Sequence, residues 1–320
     1  MHGPLPQSKF DEVADPKLQY SGSAPKRFVF LGASGRIGRL LRAIWSEEAT
    51  TNLCIDWQFR CPQPASADTL IWSNLAELDP LLDHASLVGG LDGLFVFLGA
   101  SQTGDKTNTA QMAVNVSLVD LAIKAAAVAK IPRVIVASSS AVYGGGHGVP
   151  FHENSVLRPV NAYGEAKRDM ETLCHAQAAA YGIDVCMLRI GNVAGADALL
   201  GGAAEWRSGD EPKQLDVYPD GDGPRRSYIG PASLARVLEQ LALAPKPLAQ
   251  AINVAALQGV SMNALLDAAG IAWQPRPVPA SSLQDIVLDC SRVKALSAIE
   301  ASDGTAEVIV AQWRRALEAL

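Results

Sequence analysis

RFVFLGASGRIGRLLRAIWSEEA, residues 27–49, joins three signals in one short run. Its apolar start predicts a buried strand, and from residue 35 onward the apolar residues recur at the spacing of one helix face. A turn between the two carries Gly32, Gly35 and Gly38. Glycines at such a turn let the backbone approach a pyrophosphate, and the following helix directs N–H groups at it. The stretch therefore predicts a dinucleotide-binding turn, although its G-x-x-G-x-x-G spacing is not the standard G-x-G-x-x-G fingerprint.

The alternation of strand and helix continues along the chain. Apolar, β-branched runs predict further strands over 52–59, 92–100, 133–140 and 183–191. Amphipathic patterns predict helices over 108–130 and 161–182. Strands that alternate with helices of this length form βαβ units. We therefore expect an α/β fold, namely a Rossmann-type, doubly wound parallel sheet with a smaller C-terminal substrate-binding region.

The character of the sequence changes after residue 195. Residues 196–230 are rich in Gly, Asp, Pro and Trp and show weak periodicity, which is typical of a loop-rich region. Later segments predict helices over 231–244, 261–270 (capped by Ser261) and 306–320, and strands over 251–256 and 285–290. We expect a flexible N-terminal tail over 1–25, a dinucleotide-binding Rossmann domain over 26–195 with a returning strand near 251–256, and a mainly substrate-binding region over 196–320.

Charge and composition narrow the range of partners. A net charge of −6 without basic runs argues against nucleic acid or an anionic membrane surface as a partner. An apolar run of about 18 residues, which a membrane span needs, is not found. The five cysteines and five histidines lack metal-site spacing, so no metal is expected. Because the first 27 residues lack the apolar region of a signal peptide, we expect a cytoplasmic protein with a small-molecule substrate.

Tyr163 and Lys167 stand four residues apart in NAYGEAK, within a predicted helix. Residues at this spacing share a helix face, and an ammonium beside a phenol lowers the pKa of the phenol. We therefore expect Lys167 to lower the pKa of Tyr163, so that Tyr163 can exchange a proton with a hydroxyl or a carbonyl. A serine at the end of the preceding parallel strand, in VASSSAVYG, would lie at the same sheet edge and orient the reacting oxygen.

The end of the second strand bears on which nicotinamide cofactor is preferred. An acidic side chain there binds a ribose 2′-hydroxyl, whereas an arginine accommodates a 2′-phosphate. Asp56 lies inside the predicted strand, Arg60 lies at its end, and Arg36 adds a positive charge just after the central glycine. The cofactor is accordingly predicted to be NAD or NADP, with the balance towards NADP. The alternative is that Arg60 is simply a solvated loop residue.

Several ordered motifs make the chain resemble the extended short-chain dehydrogenase/reductase family, the group of NAD-dependent epimerases and dehydratases. They are GASGRIG, LGA at 98–100, AVNV at 113–116, VASSSAVYG at 136–144, YGEAK at 163–167, LRIGNVAGA at 188–196 and RRSYIGPASLA at 225–235. The resemblance covers roughly residues 26–300. It implies that Ser139, Tyr163 and Lys167 are catalytic, with Ser140 as the runner-up to Ser139. Tyr143 is then a pocket residue and not the catalytic tyrosine.

The resemblance also implies which residues bind cofactor and substrate. The cofactor set is Gly32, Gly35, Arg36, Ile37, Gly38, Arg60, Asn74, Leu98, Gly99, Ala100, Asn115, Tyr163 and Lys167. The substrate set is Ser140, Tyr143, Asn192 and Arg226.

Three of these residues have more specific implied roles. Asn115 is expected to kink its helix and position Lys167 through water; an ordinary polar helix residue is the alternative. Asn192 is expected to contact a sugar or phosphate, and Arg226 to grip a diphosphate, which suits its planar guanidinium. The chain departs from the family where GPAS, 230–233, replaces an acidic pair, and where Asn74 replaces an aspartate that contacts adenine.

The implied chemistry is hydride transfer at a hydroxyl or carbonyl carbon. An NAD(P)-dependent epimerase or oxidoreductase of a nucleotide sugar ranks first. An NADPH-dependent reductase of a small aldehyde or ketone ranks second, and a non-catalytic NAD(P)-binding protein third. A 4,6-dehydratase is disfavoured because Ser140 and Ala141, not an acidic pair, follow Ser139. In relatives the helices corresponding to 108–130 and 161–182 pair between subunits, so a homodimer is expected.

Overall fold

The structure is a computed structural model that describes residues 24–48, 50, 52–63, 66, 68–99, 109–146, 148–201, 210–278 and 284–320, with the side chains of 109–112 left out. Almost all of the predicted N-terminal tail lies outside these residues. Ala100, one of the predicted cofactor-binding residues, also lies outside them.

The described elements follow one another in regular alternation through the first two thirds of the chain. The strands are β1 Lys26–Leu31, β2 Leu53–Phe59, β3 Thr69–Ile71, β4 Gly93–Val96, β5 Arg133–Ser139, β6 Asp184–Ile190, β7 Asn192–Val193, β8 Lys213–Val217, β9 Arg225–Ile229, β10 Ala251–Val254, β11 Gly259–Ser261, β12 Trp273–Pro277 and β13 Asp285–Ile286. The helices are α1 Arg36–Glu47, α2 Asp79–Val88, α3 Thr109–Val128, α4 Ala162–Tyr181, α5 Pro231–Leu243, α6 Met262–Ala268, α7 Ser291–Lys294 and α8 Ala306–Glu318.

A parallel sheet of seven described strands forms the centre of the molecule. Its order is β10-β6-β5-β4-β1-β2-β3, and every neighbouring pair runs parallel. The strand order reverses at β1 and β4, so the carboxyl ends of β1, β4 and β5 meet around a crevice, which is where ligands bind in open α/β sheets. The expected Rossmann-type, doubly wound fold is confirmed.

Both faces of the sheet are buried, which explains why its strands are continuous apolar runs. In β1, Phe28 and Phe30 point into one core, while Val29 and Leu31 point into another. The first core packs against α1, α5 and α8, and the second against α2, α3 and α4. Because alternate side chains of one strand face opposite helix layers, the sheet is fixed in register from both sides.

The segment after residue 195 contributes to two regions of the molecule. Its strand β10 pairs with β6 at one edge of the central sheet, as the prediction of a returning strand requires. Its helices α5 and α8 pack on α1. The remaining strands form two small sheets, with β9 between β11 and β13 and also paired with β7, and β12 beside β8. A third apolar core, which includes Tyr228, Leu265 and Trp313, lies beneath them.

The structure adds elements that the sequence pattern did not reveal. β3 is only three residues long, α2 begins at a proline-containing turn, and β8, β9, β11 and β12 lie in polar or glycine-rich sequence. Ser261 does precede α6, but its side chain makes no capping hydrogen bond, so the predicted cap is wrong in that respect. The short strands form because they pair with strands that are distant in the sequence, and their own residues show no strand periodicity.

Candidate active site

The glycine turn between β1 and α1 is packed too closely to admit side chains. Gly32 has a φ of +99°, and a Cβ there would lie 2.5 Å from the carbonyl oxygen of Phe97. A Cβ on Gly38 would lie 2.4 Å from the carbonyl oxygen of Gly32. The amide of Gly35 donates to that same oxygen at 3.0 Å, and α1 begins at Arg36. The turn thus presents bare backbone at the carboxyl edge of the sheet.

The N-terminus of α1 suits an anion. Gly35 at the cap position supplies no side-chain acceptor, and the first turn of the helix has no acidic residue. Neither the cap residue nor an acidic side chain of the first turn competes with an anion there, and the helix dipole favours negative charge. Ile37, also in the predicted cofactor set, is partly buried and packs on the first core. This arrangement fits a dinucleotide pyrophosphate.

Gln58 holds the glycine turn from below and was missed from the sequence. This side chain, 4% exposed, accepts a hydrogen bond from the amide of Gly32 at 3.2 Å and donates to the carbonyl oxygen of Trp72 at 2.7 Å. It therefore ties the turn to the chain just after β3. The available signal was a glutamine inside the apolar strand LCIDWQF.

The end of β4 lies against α3, where two predicted cofactor residues meet. Gly99 has a φ of +126°, and a Cβ on it would lie 2.6 Å from Oδ1 of Asn115. Asn115 is only 1% exposed. Leu98 is partly buried against the second core. The close approach explains why glycine stands at position 99. The water-mediated role predicted for Asn115 stays a prediction.

The three residues predicted to be catalytic meet where β5 ends and α4 begins. Ser139 is the last residue of β5, and its Oγ accepts a hydrogen bond from the amide of Ala141 at 3.2 Å. The hydroxyl of Ser139 lies within hydrogen-bonding reach of Tyr163 and acts to lower the pKa of its phenol. Lys167 lies one turn further along α4, with Nζ 5.9 Å from the centre of the Tyr163 ring. Its ammonium donates to the carbonyl oxygen of Ala137 at 2.7 Å.

Local packing brings the start of α4 to this position. Asn161 caps the helix by accepting from the amide of Gly164 at 2.8 Å. A Cβ on Gly164 would lie 2.5 Å from the carbonyl oxygen of Ala141. Ala141 belongs to the 3₁₀ turn Ser140–Val142, which directly follows Ser139. The glycine of YGEAK therefore allows the helix to approach the strand end closely enough for Ser139 to reach Tyr163.

The titration behaviour of the pair differs from the expectation. Burial raises the pKa of Tyr163, and the hydrogen bond from Ser139 and the charge of Arg36 only partly oppose this. Burial lowers the pKa of Lys167 to about 8, against the raising influence of Cys174 and Glu171. Lys167 does not lower the pKa of Tyr163 in this structure, so that prediction is wrong. The opposing influences come from Ser139 and Arg36 instead.

The influence of Arg36 links two parts of the site. Arg36 is the first residue of α1, directly after the glycine turn, and its charge acts on Tyr163 on α4. The glycine turn follows the carboxyl end of β1 and Tyr163 lies by the carboxyl end of β5, so the two lie on the same edge of the sheet. This is the spatial relation that a nicotinamide dinucleotide, bound by its phosphates at one end and reacting at the other, requires.

Tyr143 is one of the residues predicted to contact the substrate. Its side chain is 1% exposed, its hydroxyl donates to Oδ1 of Asn253 at 2.7 Å and accepts from Nη1 of Arg189 at 3.0 Å. Its ring stacks on Phe151 with centroids 4.8 Å apart. The Tyr143 hydroxyl thus already has two partners inside the protein, and its contact with a substrate stays a prediction. Ser140, by contrast, is only partly buried beside Ser139.

The surroundings of three residues in or after β2 and β3 bear on how the adenosine end of the cofactor could bind. Asp56 is fully buried and pairs with both Arg27 and His84 at 2.7 Å, so it cannot reach a ribose. Arg60 is exposed directly after β2. Asn74 uses its amide in a local turn, where Nδ2 donates to Glu77 at 2.9 Å and Oδ1 accepts from the amide of Ala76 at 3.1 Å. An adenine contact by Asn74 would have to compete with that turn.

Asn192 and Arg226, predicted from separate motifs to bind substrate, meet around Tyr228. Asn192 lies opposite Tyr228 in the β7–β9 pairing, and its side chain opposes the rise that burial causes in the pKa of Tyr228. Arg226 lies two residues earlier on β9, bonds to Tyr218, and donates to the carbonyl oxygen of Gln284 at 2.5 Å. Burial lowers its pKa. The two residues therefore belong to one polar cluster.

Two further classes of site have no support in the part of the chain that the structure describes. Among those residues, no group of three or more His, Cys, Asp or Glu side chains could hold a metal ion. Among the helices of the described ranges, none is long and apolar enough to cross a membrane.

The fold and the site agree with one family. A family model described as "NAD dependent epimerase/dehydratase family" matches residues 29–207, more than half of the chain. The chain belongs to the NAD-dependent epimerase/dehydratase family.

Particular relatives fall within that family. The UDP-glucose 4-epimerase of Lacticaseibacillus casei is 32% identical over 161 residues, which are 43% of this chain and 48% of that protein. The UDP-glucose 4-epimerase of Azospirillum brasilense is 41% identical over 69 residues, which are 22% of this chain and 20% of that protein. The matched stretches thus span about half or less of the length of these relatives.

Solved structures show the same fold. The UDP-Glc/GlcNAc 4-epimerase of Campylobacter jejuni superposes with a TM-score of 0.70 at 16% identity, covering 92% of this chain and 99% of that one. The UDP-glucose 4-epimerase of Brucella ovis, in complex with NAD, has a TM-score of 0.70 at 19% identity, covering 89% and 96%. At these identities the likeness concerns the fold.

Proposed function

We propose that this protein is an NAD(P)-dependent epimerase or oxidoreductase that acts on a hydroxyl-bearing carbon of a nucleotide sugar. The observation that carries the proposal is the meeting of Ser139, Tyr163 and Lys167 on the edge of the sheet that also holds the glycine turn. Neither a buried core pair nor a solvated helix face explains a serine and a tyrosine that approach each other in that place.

The chain's residues divide the chemistry between them. The backbone of Gly32 and the first amides of α1 would hold the pyrophosphate of a nicotinamide dinucleotide, which would supply a reversible hydride acceptor. Tyr163 removes the proton from the substrate hydroxyl and returns it to the carbonyl oxygen, while the hydroxyl of Ser139 orients that oxygen. Ser139 and the charge of Arg36 favour the phenolate form of Tyr163. The Lys167 ammonium holds α4 to the carbonyl oxygen of Ala137 beside Ser139.

A nucleotide sugar is supported by the polar cluster at the far end of the site. Arg226 carries a charge suited to a diphosphate, and Asn192 offers an amide beside it. The named relatives are UDP-glucose 4-epimerases. A thermal-shift panel of UDP-, GDP- and dTDP-sugars with NAD or NADP tests this proposal. Stabilisation by a nucleotide sugar and its epimerisation support it. Stabilisation by NADPH with no response to any nucleotide sugar would favour a reductase of a small aldehyde or ketone.

The preference for NADP is the finer part of the cofactor proposal. Arg60 is exposed at the end of β2, Arg36 begins α1, and the nearby carboxylate of Asp56 is buried in ion pairs. Arg60→Ala is expected to weaken NADP binding about tenfold, the size of one lost charge-assisted contact to phosphate, and to leave NAD binding nearly unchanged. Arg39→Ala, an exposed arginine further along α1, serves as the control. Equal losses for both cofactors would remove Arg60 from this role.

A homodimer through α3 and α4 is part of the same proposal. The two helices pack side by side, and Val114, Val128 and Tyr181 on them are 50%, 53% and 45% exposed. Val128→Lys is expected to convert a dimer into a monomer in light scattering after size exclusion. A monomeric wild-type protein would contradict the dimer and leave the catalytic proposal unaffected.

A further inference from the structure

A buried ion pair lies directly behind the proposed proton-transfer residues. Nη2 of Arg189 donates to Oε2 of Glu171 at 2.7 Å, and Nε donates to Oε1 at 3.1 Å. Their side chains are only 6% and 2% exposed. Ser138 completes the group, because its hydroxyl donates to Oε1 of Glu171 at 2.6 Å. The carboxylate of Glu171 therefore binds both Arg189 of β6 and Ser138 near the end of β5.

The group fastens α4 to β5 at two consecutive residues. Lys167 donates to the carbonyl oxygen of Ala137, and Glu171, one turn later on α4, accepts from Ser138. The next residue of β5 is Ser139. These two hydrogen bonds therefore set the spacing between the end of β5 and α4. The approach of Ser139 to Tyr163 depends on that spacing.

The network continues away from the site. Nη1 of Arg189 donates to the hydroxyl of Tyr143 at 3.0 Å and to the carbonyl oxygen of Glu153 at 2.8 Å. The hydroxyl of Tyr143 in turn donates to Asn253 on β10. Arg189 is thus held on several sides, so the Glu171 carboxylate has a fixed partner and a fixed position.

Glu171 is also the anionic neighbour of Lys167. Burial lowers the pKa of Lys167 to about 8, while Cys174 and Glu171 raise it. Burial also raises the pKa of the Cys174 thiol to about 12, so that thiol is neutral near pH 8. On α4 the other titratable neighbour is Tyr163, and from β6 the charge is that of Arg189.

The helix that packs against α4 adds no charge near Lys167 among its described side chains. On α3, Asp120 pairs with Lys124 and accepts from Gln177, about three turns beyond Lys167 along α4. The charge that holds a proton on Lys167 therefore comes from Glu171.

We propose that Glu171 is a positioning residue: held by Arg189, its carboxylate fixes Ser138, and with it Ser139, against α4 and places a negative charge one helical turn from Lys167. This rests on the proposed function, in which Ser139, Tyr163 and Lys167 handle the proton. Neither Glu171 nor Arg189 touches the reacting atoms in this account. Their effect passes through Lys167 and Ser139.

The direct test is the titration of Lys167 in Glu171→Gln. ¹³C NMR of labelled lysine Cε, assigned with Lys167→Met, reports protonation without turnover. Removal of the carboxylate is expected to move the Lys167 midpoint about one pH unit lower, the usual effect of one nearby charge. The alkaline limb of the turnover profile should move in the same direction. An unchanged midpoint in the folded variant would overturn the inference.

A second ion pair, which joins β5 to β6, provides the control. Arg133 and Asp184 pair at 2.7 Å where β5 and β6 begin, whereas Ser138 lies opposite Arg189 near the other end of the two strands. Asp184→Asn should destabilise the protein and leave the Lys167 midpoint and the pH profile unchanged. If Asp184→Asn moves the midpoint as far as Glu171→Gln does, the effect is general loosening and the inference fails.

A second variant keeps the inference testable if Glu171→Gln does not fold. Glu171→Gln alone leaves the Arg189 charge buried without a partner, which is strongly destabilising, whereas removal of both charges is often neutral. Glu171→Gln/Arg189→Met should therefore fold, and its Lys167 midpoint should be lowered less than in Glu171→Gln, because the repelling charge of Arg189 is removed together with the carboxylate. The titration requires no substrate, so the two proposals fail separately. A shifted midpoint in a protein without epimerase activity contradicts only the proposed function, and an unshifted midpoint in an active epimerase contradicts only the role of Glu171.

Discussion

The side chains of Ser139 and Tyr163 lie within hydrogen-bonding reach of each other where β5 ends and α4 begins. Two backbone features make this approach possible. The amide of Ala141 donates to Oγ of Ser139 and so orients it, and Gly164 lets the helix approach the carbonyl oxygen of Ala141. The geometry of the proposed proton transfer therefore depends on how closely one helix can approach one strand end.

Gly38→Ala is expected to weaken cofactor binding. Its Cβ would lie 2.4 Å from the carbonyl oxygen of Gly32 and 2.9 Å from Cα of Ala33, so α1 must move away from the turn. We expect NAD and NADP dissociation constants about tenfold higher or more, because overpacking of this kind costs about 1–3 kcal/mol. Titration of cofactor fluorescence measures this. Gly304→Ala, where a Cβ has ordinary contacts at 3.4 Å and beyond, is the control. Unchanged affinity in Gly38→Ala would show that the turn does not bind the cofactor.

The pH dependence follows from the buried Lys167 ammonium. Its pKa is lowered from 10.5 to about 8, so the ammonium is present below about pH 8 and is lost as pH rises through that value. Turnover that needs the ammonium should therefore fall above pH 8. Stability changes in the opposite direction, because the unfolded chain holds this proton up to about pH 10.5 and the folded protein does not. The contribution of Lys167 to the free energy of unfolding should thus rise between these values.

Turnover and chemical denaturation, measured in the same buffers from pH 6.5 to 9.5, would separate the two effects. Lys167→Met serves as the reference, since it lacks the titrating group. If wild-type turnover stayed level to pH 9.5, the ammonium would not be needed. A wild-type minus Lys167→Met stability difference that did not change above pH 8 would show that the pKa is not lowered.

Arg133 is expected to be important for stability and not for chemistry. Its guanidinium donates to Asp184 at 2.7 Å and to carbonyl oxygens at the end of α5, at 2.9 Å for Leu241 and 2.8 Å for Ala244. Arg133→Met leaves these acceptors and a carboxylate without their partner, at a cost of about 2–4 kcal/mol. Urea denaturation measures the loss, and turnover of the folded variant should be retained. A denaturation midpoint equal to that of the wild type would contradict this reading of the contacts.

The central sheet was predictable because its signals are local. Phe28 to Leu31 form a continuous apolar run, and the adjoining glycine turn and helix period allow few alternatives. The short strands β8, β9, β11 and β12 were missed because they are specified by partners far along the chain. The pairing of Gly259 with Ser227 leaves no periodic signal in either segment.

The site was predictable only in part, for a related reason. Ser139, Tyr163 and Lys167 lie in recognisable motifs, and the structure brings them together. Burial was not visible in the sequence, so the pKa of Tyr163 was expected to fall, whereas burial raises it. Gln58, which holds the glycine turn, lies in no motif, and its role depends on a contact across two strands.

The most direct test of the account is Tyr163→Phe, with turnover and cofactor affinity measured on one preparation. We predict a loss of turnover of about 10²–10⁴-fold, the usual contribution of a positioned acid–base group, with cofactor dissociation constants nearly unchanged. Tyr181→Phe, an exposed tyrosine at the end of the same helix, should behave as the wild type. Retained turnover in Tyr163→Phe, or a collapse of cofactor binding together with activity, would contradict the assignment of Tyr163 as the proton-transfer residue.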